Sequence, residues 1–165
     1  MSTFYYHKQK LYWDLSKALF GLFLVGGVLI FANPVPWLFY TLVAITSIFI
    51  LFLLKIIARF KTEINIDETG IEISMLKATR LNWADLDHFK LRYYSTKKSG
   101  DKGWMDLQLK GKGKRINVDS QLDGFEEVLG EAARHAAKTG LGLDPVTIDN
   151  LNASGINTPI ERSTL

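Results

Sequence analysis

The chain has 165 residues, of which 20 are basic and 17 acidic, with a formal net charge of +3 and no cysteine. The missing thiol excludes a disulfide framework, a thiolate metal centre and a cysteine nucleophile together. Residues 1–60 carry five basic side chains (Lys8, Lys10, Lys17, Lys55, Arg59) and one acidic (Asp14), a local +4 that leaves the remainder at −1 and argues against a uniformly basic, nucleic-acid-binding body.

Met1 to Lys17 is polar yet rich in aromatic residues: Phe4, Tyr5, Tyr6, Tyr12 and Trp13. With Lys8, Lys10 and Lys17 interleaved, it reads as an interfacial collar, rings at headgroup level and lysines toward anionic lipid. Ala18 to Leu54 then runs without Asp, Glu, Lys or Arg. As one helix it would reach about 55 Å, against a hydrocarbon core of about 30 Å. Asn33-Pro34-Val35-Pro36 interrupts it where a turn would fold it in two.

The expectation is a transmembrane hairpin with spans at about 12–32 and 37–57, integral to the cytoplasmic (inner) membrane. A cleavable signal peptide is the rival reading. The second apolar segment and the poor small-residue site at Ile30-Phe31-Ala32 count against it. Both outer flanks are basic and the turn carries no charge, which places both termini and the soluble part in the cytoplasm. Reflecting the hairpin about its turn brings Gly21, Gly26 and Gly27 toward a stripe of Thr41, Ala44 and Ser47, and close helix packing is expected there. With no ionisable side chain between Ala18 and Leu54, nothing marks a transport path.

From Thr62 the period changes to two. Six strands are expected, around Ile64–Ile66, Ile71–Met75, Leu81–Trp83, Phe89–Tyr94, Met105–Leu109 and Arg115–Asp119. Gly70 is expected to supply a positive φ in the turn that starts at Asp67. Asp123 and Glu126 have capping-box spacing. Phe125, Val128, Leu129, Ala132 and Ala136 follow on one helical face, and Gly140 closes that helix. Asp144-Pro145 opens a short helix to about Leu151, followed by a loose tail.

Two apolar helices, an exit strand, then Asp67-Glu-Thr-Gly70-Ile71-Glu-Ile73 and Arg80-Leu-Asn-Trp83-Ala-Asp85-Leu86 resemble bacterial membrane proteins with pleckstrin-homology-like (PH-like) domains. The aromatic–small–Asp–aliphatic piece, Trp83 to Leu86, carries most of the likeness. The resemblance implies an α+β membrane protein, its N-terminal helical hairpin followed by a bent antiparallel sheet capped by a C-terminal helix. The expected divisions are collar and hairpin in 1–60, PH-like domain in 61–140 and a C-terminal extension in 141–165.

Lys97, Lys98, Lys102, Lys110, Lys112, Lys114 and Arg115 fall on two neighbouring connections and form a basic patch. It faces anionic lipid headgroups or a protein partner, or is simply a solvated charged loop. A phosphoinositide pocket is not expected, because the first hairpin after the helices carries Glu63, Asp67, Glu68 and Glu72. Gly111-Lys-Gly-Lys-Arg115 lacks phosphate-loop spacing. Asp85, Asp87 and His88 have no second ligand cluster beside them, so neither metal nor cofactor is expected.

No nucleophile–base arrangement is present. The function expected is a non-enzymatic docking or scaffold module at the cytoplasmic membrane face, binding a membrane-protein partner or its own copy. The alternative is a small accessory subunit of a larger membrane complex, bound through the hairpin.

Overall fold

The computed structural model describes residues 2–32, 34–75, 77–95 and 103–156, and divides into a helix pair (residues 6–62) and a sheet unit (residues 2–5 and 63–156). The overall layout is α+β: two apolar helices, then antiparallel sheets and C-terminal helices.

In the helix pair, α1 spans Lys8–Phe31 (24 residues) and α2 spans Pro36–Phe60 (25 residues). Both are long and apolar enough to cross a membrane. Pro36 opens α2 behind Val35, where its missing N–H goes unused. Tyr12 packs on Phe60 with ring centroids 5.2 Å apart, tying the start of α1 to the end of α2.

Gly21 is the close approach between the helices: a Cβ there would run into the Phe49 ring. The other expected packing residues are placed differently. A Cβ at Gly26 or Gly27 meets nothing within 4 Å. Thr41, Ala44 and Ser47 are exposed, while Leu42, Thr46 and Phe49 are the half-buried positions of that stretch. The hydroxyls of Thr41 and Ser47 bond back to the carbonyls of Trp37 and Val43, each at 2.9 Å. At Gly21 the helices therefore meet as a ring set into a hole and not as small residue on small residue.

The sheet unit begins earlier in the chain than the collar reading allows. Ser2–Tyr5 is a strand, β1, pairing antiparallel with β2 (Glu63–Ile66) in the register Phe4↔Ile64 and Tyr5↔Glu63. Phe4 is buried, so this aromatic residue belongs to a protein core and not to an interface belt. With β3 (Gly70–Ser74) and β4 (Ala78–Asn82), β1 and β2 form a four-stranded sheet. A second sheet has β5 (His88–Tyr94), β6 (Trp104–Gly111) and β7 (Lys114–Asp119) in that order. Ile64, Ile71, Leu81, Leu91, Leu107, Leu109, Ile116 and Val118 are almost wholly shielded between the layers. They are the alternate apolar positions of each strand.

The β2–β3 turn is built by Asp67, whose carboxylate accepts from the backbone N–H groups of Thr69 (2.8 Å) and Gly70 (2.9 Å) and from Arg80 Nη2 (2.7 Å). Gly70 is needed there for closeness and not for a positive φ, since a Cβ would strike the Leu81 carbonyl oxygen. Trp83–Asp85 forms a 3₁₀ turn, and the buried Trp83 indole donates to the Asp67 carbonyl at 3.0 Å.

Helix α3 (Phe125–Lys138) closes the sheets with Phe125, Val128, Leu129, Ala132, Ala133 and Ala136. Its N-cap is Gly124 at φ 80, not Asp123, whose N–H bonds to the Tyr5 carbonyl at 2.9 Å. At its other end, Leu141 N–H reaches Ala136 O and Gly140 N–H reaches Ala137 O, with Gly140 left-handed at φ 66. Helix α4 (Pro145–Ala153) starts at the Asp144 cap, which accepts from Thr147 N–H at 3.0 Å. It is part of the fold and not an appendage: Leu143, Thr147 and Leu151 are buried. Thr147 Oγ1 accepts from Leu91 N–H at 3.2 Å, and Asn150 Nδ2 donates to Leu91 O at 2.9 Å. Both backbone groups of a β5 edge residue are thereby satisfied.

Candidate docking surface

Strands β5, β6 and β7 alternate, so one face supplies the core and the other carries His88, Lys90, Arg92 and Tyr94 on β5. The register extends those positions into rows: His88–Lys110–Arg115, Lys90–Gln108–Asn117 and Arg92–Asp106–Asp119, with Tyr94 opposite Trp104. Neighbouring strands lie about 4.8 Å apart, and successive rows on one face are about 6.6 Å apart.

The first row has no acid in it. Lys110 stands directly opposite both His88 and Arg115. Burial lowers the His88 pKa, and Lys110 and Lys90 lower it further against the opposing pull of Asp87 and Asp144. Two rows away the charge reverses. Asp106 lies opposite Asp119, and its pKa is raised by burial and by that neighbour, with Arg92 and Arg115 opposing. At the end of the face Tyr94 and Trp104 stack with centroids 5.5 Å apart, and Arg92 Nη1 donates to the Tyr94 hydroxyl at 3.3 Å.

Of the seven basic residues expected to form the patch, Lys97, Lys98 and Lys102 lie outside the described residues. The other four divide. Lys110 and Arg115 are on the sheet face, and Arg115 Nε donates to Asn117 Oδ1 at 3.0 Å. Lys112 and Lys114 flank the β6–β7 turn and are engaged elsewhere. Lys112 Nζ lies 2.7 Å from Asp85 Oδ1, and Lys114 Nζ donates to the Arg80 carbonyl at 2.9 Å. The hydrogen bond from Lys112 lowers the Asp85 pKa. The sequence reading missed Lys90, Arg92 and His88. Their alternation with Phe89 and Leu91 was visible, but which strand they pair with was not.

Among the described residues, no group of three or more His, Asp or Glu side chains converges as metal ligands would. A cavity of about 540 Å³ lies at the α3 and α4 end, floored by Met105, Leu122, Phe125 and Leu129 and rimmed by Asp123 and Glu126. Ser120 and Ser154 also line it. The arrangement can bind through charge and aromatic contact. No protein-family model, curated protein or solved structure matches the chain.

Proposed function

We propose that the protein is a membrane-anchored, non-enzymatic docking module: the helix pair holds it in the cytoplasmic membrane, and the sheet unit presents a PH-like binding surface to the cytosol. The observation that carries this reading is the outward surface of the two helices. Phe23 is 77% exposed, Phe31 84% and Trp37 71%, with Phe20, Ile48 and Leu51 similarly bare. Continuous apolar surface of that extent is unstable in water and suits a bilayer. Helices of 24 and 25 residues reach about 36–38 Å, enough for a core of about 30 Å. The pairing of Tyr5 with Glu63 supports an even number of crossings, since the strands before and after the helix pair lie side by side. The PH-like assignment is supported by four strands plus three strands closed by α3.

A second reading, an accessory subunit held through its helices, is favoured by the Thr41–Ala44–Ser47 stripe on the exposed side of α2, where another helix could approach.

Alkaline carbonate extraction tests the anchor: the full chain stays with the membrane pellet, and release into the supernatant refutes insertion. A reporter fused after Leu165 tests the side, and activity outside the cytosol refutes the topology. Joining Tyr5 to Glu63 through an Asn-Gly turn removes the helices while keeping the β1–β2 register. Retained capture of the full chain's partner by this shortened protein supports the docking reading, and loss supports the accessory-subunit reading.

A further inference from the structure

We propose that the outer face of β5–β7 binds an acidic segment of a partner protein, whose carboxylates lie along the His88–Lys110–Arg115 row. The proposal rests on the docking reading above and names the chemistry of the partner.

Like charges directly opposite in a ladder destabilise it. The row nevertheless sets Lys110 directly opposite Arg115. Two nearby carboxylates are engaged by other cations. Asp85 is 2.7 Å from Lys112, and Asp144 is 4.0 Å from Lys90. Among the described residues, Lys110 and Arg115 form no ion pair, and Arg115 is steadied by the neutral Asn117. Lys110 and Arg115 thus hold two positive charges side by side on a rigid sheet, an arrangement that recruits and orients an anionic partner.

The shape of that field selects the partner. Asp106 lies about 13 Å further along the strands, on the same face. A flat anionic leaflet covering the face would press it against its headgroups. A single extended segment crossing the strands at the cationic end avoids it.

The test is fluorescence anisotropy of a labelled hexaglutamate peptide titrated against the full chain in phosphatidylcholine nanodiscs at physiological ionic strength. Lys110→Gln with Arg115→Gln is expected to weaken binding roughly ten-fold. An equal change of charge on α3, Arg134→Gln with Lys138→Gln, is expected to leave it within about two-fold. No loss in the first pair, or equal loss in both, overturns the proposal. Should the double variant fail to fold by circular dichroism, Lys110→Gln alone is expected to weaken binding roughly three-fold, and unchanged affinity overturns the proposal. Nanodiscs of phosphatidylglycerol that displace the peptide from the unmodified chain would assign the face to lipid and equally overturn it. Membrane extraction and partner capture test the docking reading separately, so the two can fail independently.

Discussion

His135 on α3 lies flat against Trp83, with ring centroids 4.7 Å apart and planes within 6° of parallel. Since Trp83 also donates to the Asp67 carbonyl at 3.0 Å, one stack joins the closing helix to the β2–β3 turn. Burial lowers the His135 pKa, with Lys138 and Arg134 adding to the effect and Glu131 opposing it. His88 shifts the same way, from burial and from Lys110 and Lys90, against Asp87 and Asp144. A histidine whose folded pKa is depressed is protonated more readily in the unfolded chain. These two therefore leave stability intact above the ordinary value of 6.5 and erode it as pH falls below. The urea midpoint of the full chain in detergent is expected to be lower at about pH 5.5 than at about pH 7.5. His135→Phe, which keeps a stacked ring without a proton, is expected to flatten that dependence. A steeper dependence in the variant would contradict the argument.

Gly21 decides how closely the two apolar helices meet. Gly21→Leu is expected to destabilise the helix pair by about 1–3 kcal/mol, because the Phe49 ring occupies the space the new side chain needs. Gly26→Ala and Gly27→Ala enter open space. Each is expected to be neutral or stabilising by about 0.5–1 kcal/mol through helix propensity. Unfolding in mixed micelles, followed by far-ultraviolet circular dichroism, separates the two classes; equal loss at all three glycines would refute the assignment.

Asp67 is held in its ionised form first by the Thr69 hydroxyl and then by Arg80, assisted by the backbone N–H groups of Thr69 and Gly70, so its pKa falls well below the ordinary 3.8. A depressed carboxylate contributes its stability above the unfolded value, and that contribution is lost as pH falls through and below it. Asp67→Asn keeps an acceptor for the two amides, whereas Asp67→Ala removes it. Acid titration of the urea midpoint is expected to rank wild type above Asn above Ala at neutral pH. The wild-type curve should fall toward the Asn curve as pH drops below about 4 while Asn and Ala stay parallel, and a wild-type curve parallel to both would count against the pairing.

The short helix α4 guards the β5 edge. Thr147 is fully buried, and its hydroxyl is the acceptor for Leu91 N–H. Thr147→Val keeps the volume but strands that donor, at an expected cost of about 1–3 kcal/mol. Asn150→Leu does the same to the Leu91 carbonyl. Hydrogen exchange should show the Leu91 amide losing protection in Thr147→Val before its neighbours do. A chain ended after Gly140 is expected to aggregate through the bared strand.

Much of this architecture could be read in advance because period-two alternation survives in short strands. Ile64 with Ile66, Leu107 with Leu109, and Ile116 with Val118 each mark a buried face, and all of them are core. The helical stripe from Phe125 to Ala136 was equally legible. What escaped depended on partners far away in sequence. Ser2–Tyr5 is four residues long, and only the company of Glu63–Ile66 makes it a strand. Gly70 announced a turn, but its reason, the Leu81 carbonyl beside it, lies across the sheet. Of the candidate surface, Lys110 and Arg115 were visible as charges in a connection. His88, Lys90 and Arg92 joined them only once strand pairing set the rows, which no local pattern specifies.

The pairing of Ser2–Tyr5 with Glu63–Ile66 also orders events during biosynthesis. The first strand leaves the ribosome before either apolar helix, and its partner emerges only after both. Phe4 must therefore wait, without a sheet to enter, until the helix pair has been synthesised and the chain that follows has come back alongside the amino terminus. Completion of the four-stranded sheet thus needs chain from both sides of the helix pair, and β1 stays without its neighbour until Glu63–Ile66 has been made.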